Sequence, residues 1–124
     1  LVKRYYDAGA LLTTGSDFPN PYVIPGAGLH DEMALLVEAG IPPADVLRIA
    51  TRNGAESLGL LGEVGTIAVG KRADLIVLRA DPTLDIANIR RISKVYLGGK
   101  ALLPARLLRE AGVGNPDSEP MVSR

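Results

Sequence analysis

Apolar positions along the chain follow two different rhythms. Up to about residue 61 they recur at helical spacing. In "LHDEMALLVEAG", Leu29, Met33, Leu36 and Val37 fall at i, i+4, i+7 and i+8, one stripe that predicts a helix over 29–39. Asp31 and Glu32 suit its first turn, and Gly40 stands where a C-cap belongs. Pro42 and Pro43 open a second helix over 43–59, because proline is tolerated in a first turn, and Val46, Ile49 and Ala50 supply its buried face. The stretch "TRNGAESLGL" continues that helix or restarts it after Thr51, Asn53 and Gly54. At the start, Val2–Ala8 reads as the end of an amphipathic helix stopped by Gly9, and Ala10–Thr14 as a short buried strand. Helix, tight turn, strand is the αβ connection of an α/β fold. Residues 15–28 then form a loop broken by Pro19, Pro21, Pro25, Gly26 and Gly28, and a loop of that length inside a compact domain is more often functional than idle.

After Leu61 the rhythm becomes β-branched and glycine-punctuated. "GEVGTIAVGKRADLIVL" predicts a fully buried strand at Leu75–Leu78, and "ISKVYLGGKALL" predicts two strands joined at Gly98-Gly99. Residues 104–111 suit a short helix, and the tail "GVGNPDSEPMVSR" has the composition of a disordered end. The organisation expected is therefore an α/β piece over 1–61, a small β piece over 62–103, and a short helix with a disordered tail over 104–124. A parallel strand at 10–14 needs neighbours on both sides, and nothing else in the sequence offers one. A missing N-terminal segment or a partner chain is expected to complete it.

Bulk properties narrow the function classes. The chain has 124 residues, is 47% hydrophobic, and carries fourteen basic against fourteen acidic side chains. With no basic stripe and 4% aromatic residues, nucleic-acid binding is not expected. No apolar run approaches a membrane span. The lack of cysteine excludes disulfides, thiolate metal sites and a cysteine nucleophile, and fits a reducing compartment; a cytoplasmic location is expected.

Three features invite a chemical reading. "GTIAVGK" at 65–71 has the spacing of a phosphate loop, but Arg72 stands where a hydroxyl residue should hold magnesium, and a strand follows in place of a helix. A β-turn at Gly70-Lys71 is the better expectation. His30 is the sole histidine; Asp31 and Glu32 beside it point in other directions on a helix, so the three do not converge on one ion. Asp17, in "LLTTGSDFPNP", lies just past the end of the expected strand and opens the long loop. In a βα barrel catalytic groups project from such strand ends, yet Ser-Asp before proline is also ordinary turn chemistry. The residues alone leave both readings open.

In combination, "TTGSDFP", "GLHDEMALLVEAGIPPADVLRIATRNGAESLGL", "GTIAVGKRADLIVL" and "VYLGGKAL" resemble the C-terminal end of metal-dependent amidohydrolases, nearest to imidazolonepropionase-like and prolidase-like members. The resemblance covers residues 1 to about 103 in order. It implies the C-terminal part of a metal-bearing (β/α)8 barrel, with 10–14 as its last strand and 29–39 and 43–59 as its closing helices. Residues 63–103 would then be the C-terminal half of a small β-sandwich, in which Asp74 is structural. It also implies that Asp17 is both metal ligand and catalytic proton shuttle. The divalent metal implied is zinc, one or two ions, in the complete protein.

The family's His-x-His, its lysine or acidic ligand and its later histidines are absent from these residues, so the isolated chain is expected neither to bind the catalytic metal nor to turn over substrate. The activity implied is hydrolysis of C–N bonds in a cyclic or peptide-like small-molecule amide. The alternatives are a heterocycle aminohydrolase of the same superfamily, and a truncated non-catalytic interaction module. A homo-oligomer is compatible with any of these.

Overall fold

Ile41 and Val46 are the largest side chains withdrawn completely from water, and the helical elements are arranged around them. The computed structural model describes residues 1–21, 23–24, 26–110 and 112. Helix α1 spans Val2–Asp7 and is closed by Gly9 at φ +76°, a backbone region that suits glycine. The expected amphipathic stripe forms α2, Gly28–Glu38. Its end is a Schellman motif: Gly40 adopts φ +94°, its N–H donates to the Val37 carbonyl at 2.9 Å, and the Ile41 N–H donates to that of Leu36 at 3.2 Å. That geometry is what drives Ile41 into the core.

Helix α3, Pro43–Arg48, starts with a proline in its first turn and does not stop at Thr51. It widens into a π-helical turn, Ile49–Asn53, and resumes as α4, Gly54–Ser57. Tyr6 on α1 donates a 2.7 Å hydrogen bond to Asp45 on α3, which fastens the first helix to the second pair.

Met33, Ile41, Val46 and Ile49 share one apolar cluster with Ile86 and Ile89. The last two belong to a 3-10 helix, Ile86–Arg90, whose start is capped by Asp85 accepting from the Ala87 N–H at 2.9 Å. Each buried aliphatic side chain contributes about 1.5–3 kcal/mol. The Arg90–Asp31 ion pair across the same junction, at 2.5 Å and largely solvated, adds about 0–1 kcal/mol. Apolar contact, not charge, therefore holds the 3-10 helix against α2.

The remaining elements are one three-stranded antiparallel sheet in the order β1 (Leu75–Leu78), β2 (Ile92–Leu97), β3 (Lys100–Leu102), followed by α5, Pro104–Glu110. Leu75 pairs with Tyr96 and Val95 with Leu102, and a bulge shifts the β1–β2 register between Val77 and Leu78. The β2–β3 turn is Gly98-Gly99 as expected, with both residues at positive φ, the twist that suits a two-residue hairpin. Asp74 has the structural role expected of it: it accepts from the Gly98 N–H at 2.8 Å and from Arg72 at 2.6 Å. These bonds, the backbone one foremost, hold its carboxyl below the usual carboxylate range.

Two expectations need correction. Leu75–Leu78 is a strand but not a fully buried one, since Ile76 is 60% and Val77 43% exposed. Successive strand residues face opposite sides of a sheet, and the 3-10 helix and α5, which lie against β1 and β2, leave Ile76 and Val77 uncovered. Ala10–Thr14 is not a strand. A strand exists through ladder hydrogen bonds, and no described segment pairs with this one, so it runs as irregular chain with Leu11 51% exposed. The disordered tail expected beyond residue 112 lies outside the described residues.

Candidate functional site

Asp17 sits where the irregular 10–14 segment gives way to the proline-rich loop. It is the one non-glycine residue with positive φ (+54°) among those described. Aspartate tolerates this left-handed region better than most residues, but a side chain held there marks a backbone bent to a purpose. The Asp17 carbonyl accepts from the Asn20 N–H at 3.0 Å, closing a turn through the cis Phe18-Pro19 bond. The Asn20 side-chain amide also donates to Asp17 Oδ2. The carboxylate is exposed, and its Oδ1 accepts no hydrogen bond from another described side chain. Asp17 thus shapes a turn, as one of its two readings expects, and its carboxylate is exposed.

The chain leading to Asp17 is held from two helices. Asn53, at the end of the π-helical turn, donates from Nδ2 to the Leu12 carbonyl at 3.0 Å. Glu32 on α2 accepts the Gly15 N–H with both carboxylate oxygens, at 2.9 and 3.2 Å. Burial pushes the half-buried Glu32 carboxyl up, and the Gly15 amide pulls it partly back. Gly28 lets the loop close on the helix: a Cβ there would lie 3.0 Å from Val23 Cγ1 and 3.3 Å from Ser16 Cβ. An open cavity of about 310 Å³ lies between loop and helix, lined by Ser16, Val23, Ile24, Glu32 and Leu35 among others; Asp17 is not on its wall.

The π-helical turn has its own lock. Gly65, at φ +88°, lies so close that a Cβ would overlap that of Ala55 and stand 3.1 Å from the Thr51 carbonyl oxygen. The "AT-x-N-x-A" and "G-x-x-x-x-G" patterns of the sequence are thus two halves of one packing contact. π-Turns inside helices are frequent at functional sites, and this one carries Asn53.

The other candidates separate from Asp17. His30, in the first turn of α2, is half-buried and kept below the usual imidazole range by burial foremost; Arg90 acts in the same direction and Asp31 opposes it. Asp31 is engaged by Arg90 and Glu32 by Gly15, so the three neighbours diverge as expected. Among the described residues no three His, Asp or Glu side chains converge to hold an ion. At the phosphate-loop look-alike the turn falls one residue earlier than expected, on Val69-Gly70 (Gly70 φ +87°), closed by the Lys71 N–H donating to the Ala68 carbonyl at 3.2 Å, and the Lys71 ammonium donates to the Leu61 carbonyl and, at 2.6 Å, to Thr66. No helix among the described residues is long and apolar enough to cross a membrane.

Asn53 and Glu32 are the site residues that sequence reasoning passed over. Asn53 was legible only as a break in a helix, and Glu32 only as a first-turn acid. The available signal was a polar residue next to buried positions: Glu32 precedes Met33, and Asn53 comes two residues before Ala55.

These elements define an α/β arrangement in which a loop carboxylate is braced by two packed helices beside a small antiparallel sheet. The chain belongs to the amidohydrolase family, whose sequence model matches residues 2–102. It is 32% identical over 120 residues to an imidazolonepropionase of Rubrobacter xylanophilus, covering 93% of this chain and 26% of that protein. It is 38% identical over 89 residues to an adenine deaminase of Klebsiella pneumoniae subsp. pneumoniae, covering 72% of this chain and 14% of that one. Among solved structures it superposes on a Bifidobacterium longum protein assigned as a prolidase, with a TM-score of 0.75 and 35% identity over 80% of this chain and 24% of the other. The chain thus spans about a quarter or less of the length of the relatives it matches.

Proposed function

We propose that residues 1–103 are the C-terminal portion of a metal-dependent (β/α)8 hydrolase that cleaves the C–N bond of a cyclic or peptide-like amide, with Asp17 as metal ligand and proton shuttle. On this reading 1–61 closes the barrel and 62–103 forms half of a small β-sandwich. The observation that carries it is Asp17 itself: a carboxylate at φ +54°, one oxygen steadied by Asn20 and the other presented outward, at the end of a segment braced by Asn53 and Glu32. The family membership and the relatives named imidazolonepropionase and prolidase support the reaction class. The unpaired backbone of 10–14 and the exposed Leu11 fit a strand awaiting barrel neighbours.

The donor set fits one ligand's share of a metal site and no more: Asp17 offers one oxygen, and a catalytic zinc needs three protein ligands. A divalent metal, zinc by preference, supplies when bound a water acidified toward neutrality. Asp17 would hold one share of that metal and would carry the proton to the departing nitrogen, so that hydroxyl would end on the carbonyl carbon and hydrogen on the amine as the C–N bond breaks. Asn20 would steady the carboxylate through Oδ2. The remaining ligands come from outside these 124 residues, on an upstream segment or a partner chain, and the chain by itself turns over nothing. Zinc-dependent amide hydrolysis by the isolated chain would overturn that last statement.

The kinship to an adenine deaminase favours a second reading, an aminohydrolase that releases ammonia from a heterocycle by the same use of Asp17. The test is Asp17→Asn in the complete protein, assayed with imidazolonepropionate, an Xaa-Pro dipeptide and adenine. Turnover of one of them should fall about 10²–10⁴-fold, the range for loss of a general acid–base group, and bound metal should fall with it. Unfolding should move little, because the side chain is exposed. Turnover of adenine alone would select the second reading. A complete protein that binds no metal and hydrolyses none of the three would leave a non-catalytic module.

A further inference from the structure

We propose that Glu32 is a positioning residue for Asp17: by holding the Gly15 amide it sets the direction in which the Asp17 carboxylate is presented. The proposal rests on the reading of Asp17 as a metal ligand and goes beyond it, because Glu32 lies on α2 and touches neither Asp17 nor any reacting atom.

The geometry carries the argument. A single N–H is received by two oxygens of one carboxylate, at 2.9 and 3.2 Å, across seventeen residues of sequence. Among the described residues this side-chain hydrogen bond ties α2 to the chain just before Asp17. Only Ser16 separates Gly15 from Asp17. Ser16 lies close to Gly28, where an added Cβ would come within 3.3 Å of the Ser16 Cβ. Upstream, Asn53 fixes the Leu12 carbonyl. The segment 12–16 is therefore held at Leu12 and Gly15, and Asp17 follows it at a φ of +54°. If the Gly15 anchor is released, the rotation about the Gly15–Ser16 linkage that follows is passed directly to Asp17. A ligand displaced by that route loses metal affinity, as loss of a supporting hydrogen bond around a metal typically costs 10–100-fold.

The acceptor's position matters in this account, and its charge does not. Glutamine keeps an oxygen at the same reach; aspartate keeps the charge but withdraws it by one methylene; alanine removes the acceptor.

The experiment measures zinc affinity of the complete protein by chelator competition, with no substrate present, alongside hydrogen exchange at residues 13–16. Glu32→Ala and Glu32→Asp should each weaken zinc binding 10–100-fold and speed exchange there, whereas Glu32→Gln should stay within about threefold of the unaltered protein. Met33→Ala, a core change on the next residue of α2, controls for general loosening and should leave zinc affinity within the same threefold. If Glu32→Ala does not fold, the Gln and Asp variants decide the matter by themselves. The proposal is overturned if Glu32→Asp binds zinc normally, if Glu32→Gln loses as much as Glu32→Asp, or if Met33→Ala loses equally. Asp17→Asn separates this failure from that of the underlying reading. If Asp17→Asn leaves zinc affinity intact, Asp17 is no ligand and both ideas fall; if it weakens zinc while the Glu32 variants do not, only the positioning role falls.

Discussion

Gly65 and Gly70 make a matched pair from which the energetics of the π-helical turn can be read. Their backbone angles are nearly the same, φ +88° and +87°, so an added Cβ meets the same intrinsic strain at both. For an L-residue in the left-handed region that strain is about 1–2 kcal/mol. Their surroundings differ completely. A Cβ at Gly70 meets nothing within 4 Å, whereas one at Gly65 overlaps the Ala55 methyl and lies 3.1 Å from the Thr51 oxygen and 3.4 Å from the Arg52 Cα. Two of those three neighbours are backbone atoms of the turn itself and cannot rotate aside. Ala55 is buried and has no rotamer to change. Carbon atoms prefer about 3.5–4.0 Å, so the loop and the turn must separate, and overpacking of this kind costs about 1–3 kcal/mol.

Gly70→Ala should therefore destabilise by about 1–2 kcal/mol, from strain alone. Gly65→Ala should cost about 2–5 kcal/mol, the strain plus the overlap. Urea unfolding of the complete protein followed by circular dichroism gives both, provided the midpoint shifts and the slope does not. Equal losses at the two positions would refute the reasoning, because they would mean that the contact between Gly65 and the π-turn carries no energy. The Gly65→Ala protein should also show faster hydrogen exchange at 10–14, since opening the turn moves Asn53 away from Leu12.

Asn53→Ala should leave the Leu12 carbonyl without its partner and cost about 1–3 kcal/mol by the same urea assay. His30 is held neutral by burial and by Arg90, against Asp31, so its folded pKa lies below the unfolded value of about 6.5. Its contribution is then present above that value and lost as pH falls through the folded one, and His30→Gln should flatten the acid side of a stability–pH curve. Tyr6 is the opposite case: the hydrogen bond it donates to Asp45 raises its pKa above about 10. Its contribution is present below that value and lost as pH rises through the folded pKa, so Tyr6→Phe should abolish an alkaline loss of stability.

Legibility in the sequence followed the range of the interactions involved. The Gly40 cap, the proline start of α3 and the Gly98-Gly99 hairpin are local, settled within about five residues by backbone preference, and each was readable; the turn at Gly70 was readable to within one residue. The 3-10 helix at Ile86–Arg90 was not. Its two core residues, Ile86 and Ile89, give a single i, i+3 repeat, too short to register as periodicity, although they complete the apolar cluster. Asp17 could be located but not interpreted from its neighbours, and the role proposed for it came from resemblance. Glu32 and Asn53 reach partners seventeen and forty-one residues away, and nothing in their own surroundings names Gly15 or Leu12.

The failed strand at 10–14 and the overlooked braces are one phenomenon. In a closed barrel a last strand takes its position from ladder bonds on both sides, and a helix side chain touching it would be redundant. Here no described neighbour supplies a ladder, yet the segment is still directed, because Asn53 grips one end and Glu32 the other. Two side-chain anchors, one from the π-turn and one from α2, hold the chain at Leu12 and Gly15 and leave Thr13 and Thr14 between them. The helices therefore come first in the physical order: α2 and the π-turn, packed on Ile41, Val46 and Ile49, hold the segment through Glu32 and Asn53, and any ladder bonds would add to a geometry that those side chains have already set.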